Sequence, residues 1–364
     1  MPQGSVIGPL LFLVLINDID KDTQHSAVSS FADDTRVTMG IKTEDDAADL
    51  QNDLFHIYQW IVENNMQFNA LKFELLRYGN RDDLRENTAY VNPEFELIEE
   101  KENVKDLGVN MTNNCKFNLH ITKIAESAKK IASWILRTFE TREPQPMMLL
   151  FKSLVRPLLE YASPLWTPII KTEINMLERI QKSFITKING ISRDYCAALR
   201  QLKLFSLEER RNRFLAIHVW KILENLAPNL SMNQEKNIVA QTDCNHRRGR
   251  TCKLYNILKT PSHLLKARKQ TLRFQGVKAF NLLQKEIRNI TGKTVEQFKV
   301  QLDKYLKSKM GIPIVSCDQS NRQSNRLTVR PLVSPTHTPI LDTLENESLP
   351  TRGLIEDNRT TRSP

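Results

Sequence analysis

The stretch Ser29-Ser30-Phe31-Ala32-Asp33-Asp34-Thr35-Arg36-Val37 sets two carboxylates side by side. Short β-prone runs flank it, Ala27-Val28 before and Val37-Thr38-Met39 after. That pattern predicts a hairpin whose tip carries acid. Strand side chains alternate faces, so Asp33 and Asp34 do not both point squarely at one spot. Two carboxylates this close repel, and a hard divalent cation such as Mg²⁺ is a natural counter-charge. A solvated Asp-Asp turn is the alternative. Asp45-Asp46 and Asp82-Asp83 repeat the pair, and turns favour Asp for local hydrogen bonding.

Around the hairpin the periodicity changes twice. Val6–Ile16 is an apolar run of 11 residues, too short for a membrane span and without the flanks of a signal peptide. It reads as a buried helix, with Pro9 in its first turn and Asn17-Asp18 at its end. Residues 44–64 read as a helix on the spacing of Ala47, Leu50, Leu54, Ile57, Tyr58 and Ile61. Thr43 followed by Glu44-Asp45-Asp46 suits its start. Residues 66–78 read as strand, turn and strand, 81–103 as a surface hairpin or loop, and Val104–Met111 as one strand bent at Gly108. Past Asn118 the spacing is helical throughout: Ile121 to Ile135, Met147–Tyr161, Ile174–Ile188, Leu207–Leu226, Leu264–Leu283 and Val295–Leu306. Trp134, Trp166 and Trp220 read as packing residues rather than base-stacking platforms. From Ser316 the periodicity disappears, and the composition predicts a disordered tail.

Charge narrows the partners. The 364 residues carry a net charge of +10, which points to a polyanion. Twelve Lys and Arg fall between Arg247 and Arg288 against Glu286 alone, while Asp18–Asp53 is acidic. Lys129, Lys130, Lys182, Arg210, Arg211 and Arg213 could give the helices basic outer faces that track phosphates. The five cysteines are scattered and odd in number, which argues for reduced thiols and an intracellular setting, with nucleus or cytoplasm left open. The group Cys244, His246, Cys252 and His263 fits no standard zinc spacing.

The order of motifs is more specific. Pro2-Gln3-Gly4-Ser5 is followed by Gly8-Pro9-Leu10-Leu11-Phe12, then Phe31-Ala32-Asp33-Asp34, then Asn69-Ala70-Leu71-Lys72, then Leu107-Gly108-Val109. This succession resembles the palm of a reverse transcriptase, of the jockey-like non-LTR (LINE-type) retrotransposons. The block Lys152–Trp166, then Leu177–Lys182 and Leu204–Arg211, is similar to later segments of that family, and the likeness runs to about Pro313. Phe280-Asn281 stands where the family usually has Trp-Asn, and Asp106 where it has an aromatic.

The resemblance implies an α+β fold: a truncated reverse transcriptase palm over 1–112, a helical thumb-like domain over 113–228, a basic connector with C-terminal helices over 229–315, and the tail 316–364. It implies RNA-directed DNA polymerase chemistry with an RNA template, a DNA primer or target, dNTP and two Mg²⁺ ions, and no membrane. Asp33 would be a metal ligand and catalytic, with Asp34 second in line. Lys72 would give a proton to departing pyrophosphate. Gln3, Gly4, Ser5 and Phe31 would lie against template and nucleotide. In the family the other essential Asp lies on a strand before the Gln-Gly-Ser loop, where this sequence begins. The expectation is therefore a C-terminal part holding half a metal site and inactive alone. The competing reading is a non-catalytic nucleic-acid-binding remnant. A receiver-type phosphoacceptor Asp pair fits poorly, because it needs repeating strand–helix units.

Overall fold

The computed structural model describes residues 4–79, 82–227, 240–242, 253–255, 269, 271–309 and 351–358. The fold is mixed helix and sheet, with antiparallel strand pairs. Two compact units divide the chain. One comprises Met1–Phe117 with Asp342–Pro364, the other Asn118–Leu341.

The first unit begins with helix α1 (Gly8–Ile16), with Pro9 in its first turn. Strands β1 (Ala27–Phe31) and β2 (Asp34–Ile41) form the expected hairpin, with Val28 opposite Val37 and Phe31 opposite Asp34. Along β2, Thr35 and Val37 turn inward while their neighbours are half-exposed, the alternation of a strand with one covered face. Helix α2 (Glu44–Glu63) covers that face with Leu50, Leu54, Ile57, Tyr58 and Ile61. Its start is a capping box: Thr43 Oγ1 accepts from Asp46 N–H, and Asp46 Oδ2 accepts from Thr43 N–H at 2.9 Å. The Asp45-Asp46 pair is thus a helix start, an ordinary use of adjacent acids.

A 3₁₀ turn (Ala70–Lys72) leads into β3 (Glu74–Tyr78). The sequence reading expects a strand before this turn as well. Asn69 instead caps the turn through Leu71 N–H, and residues 66–69 take no strand form. Helix α3 (Asp82–Asn87) follows. Strands β4 (Asn103–Asp106) and β5 (Val109–Thr112) form a hairpin where one bent strand was expected. Leu107 and Gly108 both have positive φ, 42° and 85°, which closes a two-residue turn of the primed kind.

The strand order in the main sheet is β1-β2-β8-β3, where β8 is Thr351–Asn358. Both of its neighbours are antiparallel to it. The register sets Ile355 between Val37 and Leu75, and Leu354 between Thr38 and Leu76. Val37 and Leu75 belong to the core under α2, whereas Leu76 packs with Val104 on the opposite face. A strand therefore stands in the segment expected to be a disordered tail, whose other positions lie outside the described residues.

The apolar helix α1 departs from expectation too. Ile16 is buried, but Leu10, Leu11, Leu13 and Val14 are at least half-exposed. Nothing among the described residues covers that face.

The second unit is helical apart from one short hairpin. Helix α4 (Asn118–Thr138) buries Ile121, Ala125, Ala128, Ala132 and Ile135. Helix α5 (Pro144–Leu150) runs through a wide turn (Phe151–Val155) into α6 (Arg156–Glu160). Pro157 has no N–H to return to the preceding turn, which accounts for the wide turn before it. Next come α7 (Ser163–Trp166), α8 (Lys171–Ile185), α9 (Tyr195–Gln201) and α10 (Leu207–Leu223). Asp194 caps α9, and Ser206 with Glu209 forms a capping box at α10. Strands β6 (Ala240–Thr242) and β7 (Lys253–Tyr255) pair with each other. Helices α11 (Leu272–Asn281), α12 (Lys285–Arg288) and α13 (Val295–Lys309) complete the unit. The helix expected from Leu264 thus begins at Leu272 among the described residues.

The α10–α11 crossing is close. A Cβ at Gly276 would stand 2.7 Å from Val219 Cγ2. Behind it Trp220 stacks on Phe298 with centroids 4.3 Å apart, and its indole N–H donates to Ile290 O at 2.8 Å. Trp166 is likewise buried and donates to Tyr161 O at 2.8 Å. Trp134 is 48% exposed and packs edge-on to Phe139. Cys115 is an exposed thiol, and Cys244, Cys252 and Cys317 lie outside the described residues.

Candidate functional site

The hairpin turn consists of Ala32 and Asp33 alone, because Phe31 and Asp34 are the last paired residues. Ala32 has φ +54°, a left-handed conformation that costs a non-glycine residue roughly 1–2 kcal/mol. Ser30 and Thr35 hydroxyls lie 3.3 Å apart across the strands and tie the turn below its tip. Phe31 is 67% exposed at the end of β1. Asp33 and Asp34 are both half-exposed, and Asp34 Oδ1 is buried with no hydrogen bond from the described residues. The nearest cation along β2, Arg36, is ion-paired to Asp106 of β4. Its charge is largely spent there, so the tip keeps its negative character. That pairing also engages Asp106, at the end of β4.

The loop that delivers β1 hangs on a residue that sequence reasoning missed. Asp53 of α2 is 1% exposed. Its carboxylate accepts from Gln24 N–H at 3.0 Å, His25 N–H at 2.9 Å and Ser26 N–H at 2.6 Å. Burial alone would push the Asp53 carboxyl up, but hydrogen bonds from Gln24, Ser26 and His25 outweigh it and hold it below its ordinary value. The signal was present in the sequence. Asp53 lies on the apolar stripe between Leu50 and Ile57, where a charged residue is buried only if it is well partnered.

Lys72 stands at the same end of the sheet as the acid tip. Asp34 pairs with Asn358, and Glu74 pairs with Glu356. Lys72, in the turn just before β3, therefore lies near the end of the sheet that carries Asp34. Lys72 is half-buried in the 3₁₀ turn. Gly4 and Ser5 are less closely involved. Ser5 Oγ accepts from Gly8 N–H at 2.8 Å and so starts α1, while Gly4 is exposed with φ +87°. No hydrogen bond joins either to the hairpin among the described residues. Gln3 lies outside them.

A magnesium ion suits part of this arrangement. Mg²⁺ keeps several waters and is commonly held by one or two carboxylates, which Asp33 and Asp34 can supply. Among the described residues no group of three His, Cys, Asp or Glu gathers into a metal site, so a second ion lacks ligands there. The loose Cys/His set Cys244, His246, Cys252 and His263 lies outside the described residues.

In the helical unit the expected basic face divides. Lys129, Lys130 and Lys182 are exposed. Arg210 makes a two-pronged ion pair with Glu160, and Arg213 does the same with Asp303. Arg211 is buried, with Glu178, Glu208 and Glu160 offsetting the burial that pushes its guanidinium down. Helical spacing identifies a face but not what packs on it, and these three arginines face protein. Among the described residues no helix is long and apolar enough to cross a membrane.

Residues 1–111 match the family described as reverse transcriptase (RNA-dependent DNA polymerase). Over 201 residues the chain is 27% identical to an RNA-directed DNA polymerase from mobile element jockey of Drosophila melanogaster, covering 52% of this chain and 22% of that protein. A probable RNA-directed DNA polymerase from transposon X-element of the same species is 26% identical over 198 residues, with the same coverage. The jockey polymerase of Drosophila funebris is 25% identical over 201 residues. The chain thus matches about a fifth of the length of these relatives. No solved structure matches it.

Proposed function

We propose that this chain is part of the RNA-directed DNA polymerase of a jockey-like non-LTR retrotransposon, with residues 1–112 as a partial palm, 113–228 as the thumb-like region, 229–315 as a basic connector with helices and 316–364 as a tail. The observation that carries the reading is the match over residues 1–111; the acid hairpin and the turn bearing Lys72, at the same end of the sheet in that segment, support it. Asp33 is the metal ligand of the hairpin, and Asp34 supports it from the start of β2. A bound Mg²⁺ would neutralise charge on the attacking hydroxyl and the leaving phosphate. Lys72 protonates the departing pyrophosphate. Phe31, exposed beside the tip, and the Gln3–Ser5 loop take template and incoming nucleotide. RNA template, DNA primer and dNTP are the partners.

Two-metal transfer needs carboxylates from more than one place, and among the described residues no third acid gathers with Asp33 and Asp34. A polypeptide of these 364 residues therefore binds nucleic acid without extending a primer. RNA-templated primer extension with Mg²⁺ tests this. No synthesis is the expected result, and robust synthesis that disappears in Asp33→Asn would overturn that expectation.

A non-catalytic, nucleic-acid-binding remnant is the second reading. The net charge of +10 and the exposed Lys129, Lys130 and Lys182 favour it. Supplying a palm strand that bears an Asp separates the two: restored synthesis supports the polymerase reading, and continued silence with retained binding supports the remnant.

A further inference from the structure

We infer that the helical unit carries a phosphate-binding cleft, formed where the wide turn and α6, the loop after α9, and α13 converge. The cleft has a volume of about 250 Å³ and is lined by Lys152, Arg156, Lys203, Arg210 and Lys307, with Asp303 the acid among its lining residues. That is below the usual size for a drug-like ligand and suits a small anionic group.

The charge balance favours an anion. Arg210 is neutralised by Glu160, and Asp303 by Arg213. Arg156 reaches the already engaged Glu160 at only 4.0 Å. Lys152, Lys203 and Lys307 are exposed, with no carboxylate within ion-pair distance among the described residues. Three lysines without a carboxylate partner among the described residues, and a half-buried arginine that shares Glu160 with Arg210, therefore open onto one cleft. The Arg156 guanidinium registers the crowding. Burial pushes it down, the Arg210 charge pushes it further, and Glu160 only partly offsets them. An anion between these cations would relieve their repulsion.

The backbone holds one of them in place. Lys203 follows the last turn of α9 with φ +52° and donates its N–H to Arg200 O at 3.1 Å. Glycine usually takes this position. The planar guanidinium of Arg156 is suited to bidentate contact with phosphate oxygens, and the lysines act as point charges around it.

The ligand chemistry is a phosphate group, from inorganic phosphate or pyrophosphate or from a nucleic-acid backbone. The inference does not rest on the polymerase reading, because none of these residues belongs to the unit that holds the acid hairpin.

The test compares the full chain with the triple variant Lys152→Ala/Lys203→Ala/Lys307→Ala. Lys171→Ala/Lys187→Ala, two exposed lysines at the start of α8 and just past its end, is the control. Calorimetric titration with pyrophosphate and binding of a 20-nucleotide single-stranded RNA across a salt series are the two arms. The triple variant alters exposed side chains, and circular dichroism checks that it folds. In the wild type, pyrophosphate should bind saturably, with at least a five-fold loss in the triple variant and no loss in the control. If the RNA salt slope also falls, by about 2 for three phosphate contacts removed, the phosphate comes from the backbone. Lost pyrophosphate binding with RNA binding unchanged assigns the cleft to free anions. Absence of saturable pyrophosphate binding in the wild type, or equal binding by wild type and triple variant, overturns the inference.

Discussion

Replacing Asp53 by Asn should unfasten the loop that leads into the acid hairpin. The wild-type carboxylate accepts from three consecutive backbone N–H groups at 2.6–3.0 Å while 1% exposed. An amide of the same shape keeps one acceptor oxygen. Its NH₂ turns a donor toward at least one backbone donor. With each bond worth about 1–1.5 kcal/mol net, and the orphaned donors buried, the loss is about 3–4 kcal/mol. At a urea m-value of about 2 kcal/mol/M, the midpoint should fall by about 1.5–2 M. Amide exchange localises the effect: Gln24, His25 and Ser26 should lose protection first, followed by β1. The pH dependence has a definite sign. The folded Asp53 titrates below its unfolded value, so its stabilisation is complete above about pH 4 and is lost as pH falls through the lower folded value. Asp53→Asn should remove that part of the acid sensitivity. If the variant melts with the wild type and residues 24–26 exchange unchanged, the anchoring role is refuted.

Four further outcomes follow from the same geometry. His120 is buried beside Trp166, and burial, then Lys123, lowers its pKa to about 4. The unfolded chain binds that proton between pH 6.5 and 4, so the helical unit should lose up to about 3 kcal/mol over that range, and His120→Phe should flatten the profile in acid melts. Trp220→Leu removes both the Phe298 stack and the bond to Ile290 O, and should cost about 3–5 kcal/mol in a denaturant melt. Arg213→Ala should cost about 1–3 kcal/mol and Arg213→Lys somewhat less, because lysine cannot reproduce the two-pronged pair with Asp303. Deleting residues 342–364 removes β8 from between β2 and β3, so amide exchange at Val37 and Leu76 should rise well above that at Tyr58 in α2, whereas Leu75, which donates to Glu99 O, should change less.

Some of this architecture is legible in the sequence for physical reasons. Alternation into and out of Asp33-Asp34 is a local pattern, and a two-residue turn follows from it. Helix α2 was readable because six apolar residues share one stripe and Thr43 stands before three acids. Other features depend on partners distant in sequence. Arg210, Arg211 and Arg213 look like a solvated basic face, yet Glu160, Glu178 and Asp303 meet them from other helices. The place of Thr351–Asn358 in the sheet depends on edges more than 270 residues earlier in the chain, and the short Leu354-Ile355 pair gives little local signal. The exposed apolar side of α1 shows the converse: hydrophobicity predicts a covered face, but not what covers it.

The claim on which the functional reading rests is that the acid tip of the β1–β2 hairpin is a divalent-cation site. Mn²⁺ titration followed by paramagnetic broadening of backbone amides tests it most directly. The expected result is the strongest broadening at Phe31–Thr35, with weaker broadening at Lys72, abolished in Asp33→Asn. Broadening centred on Asp45-Asp46 or Asp82-Asp83, or broadening at the hairpin that survives Asp33→Asn, would contradict it.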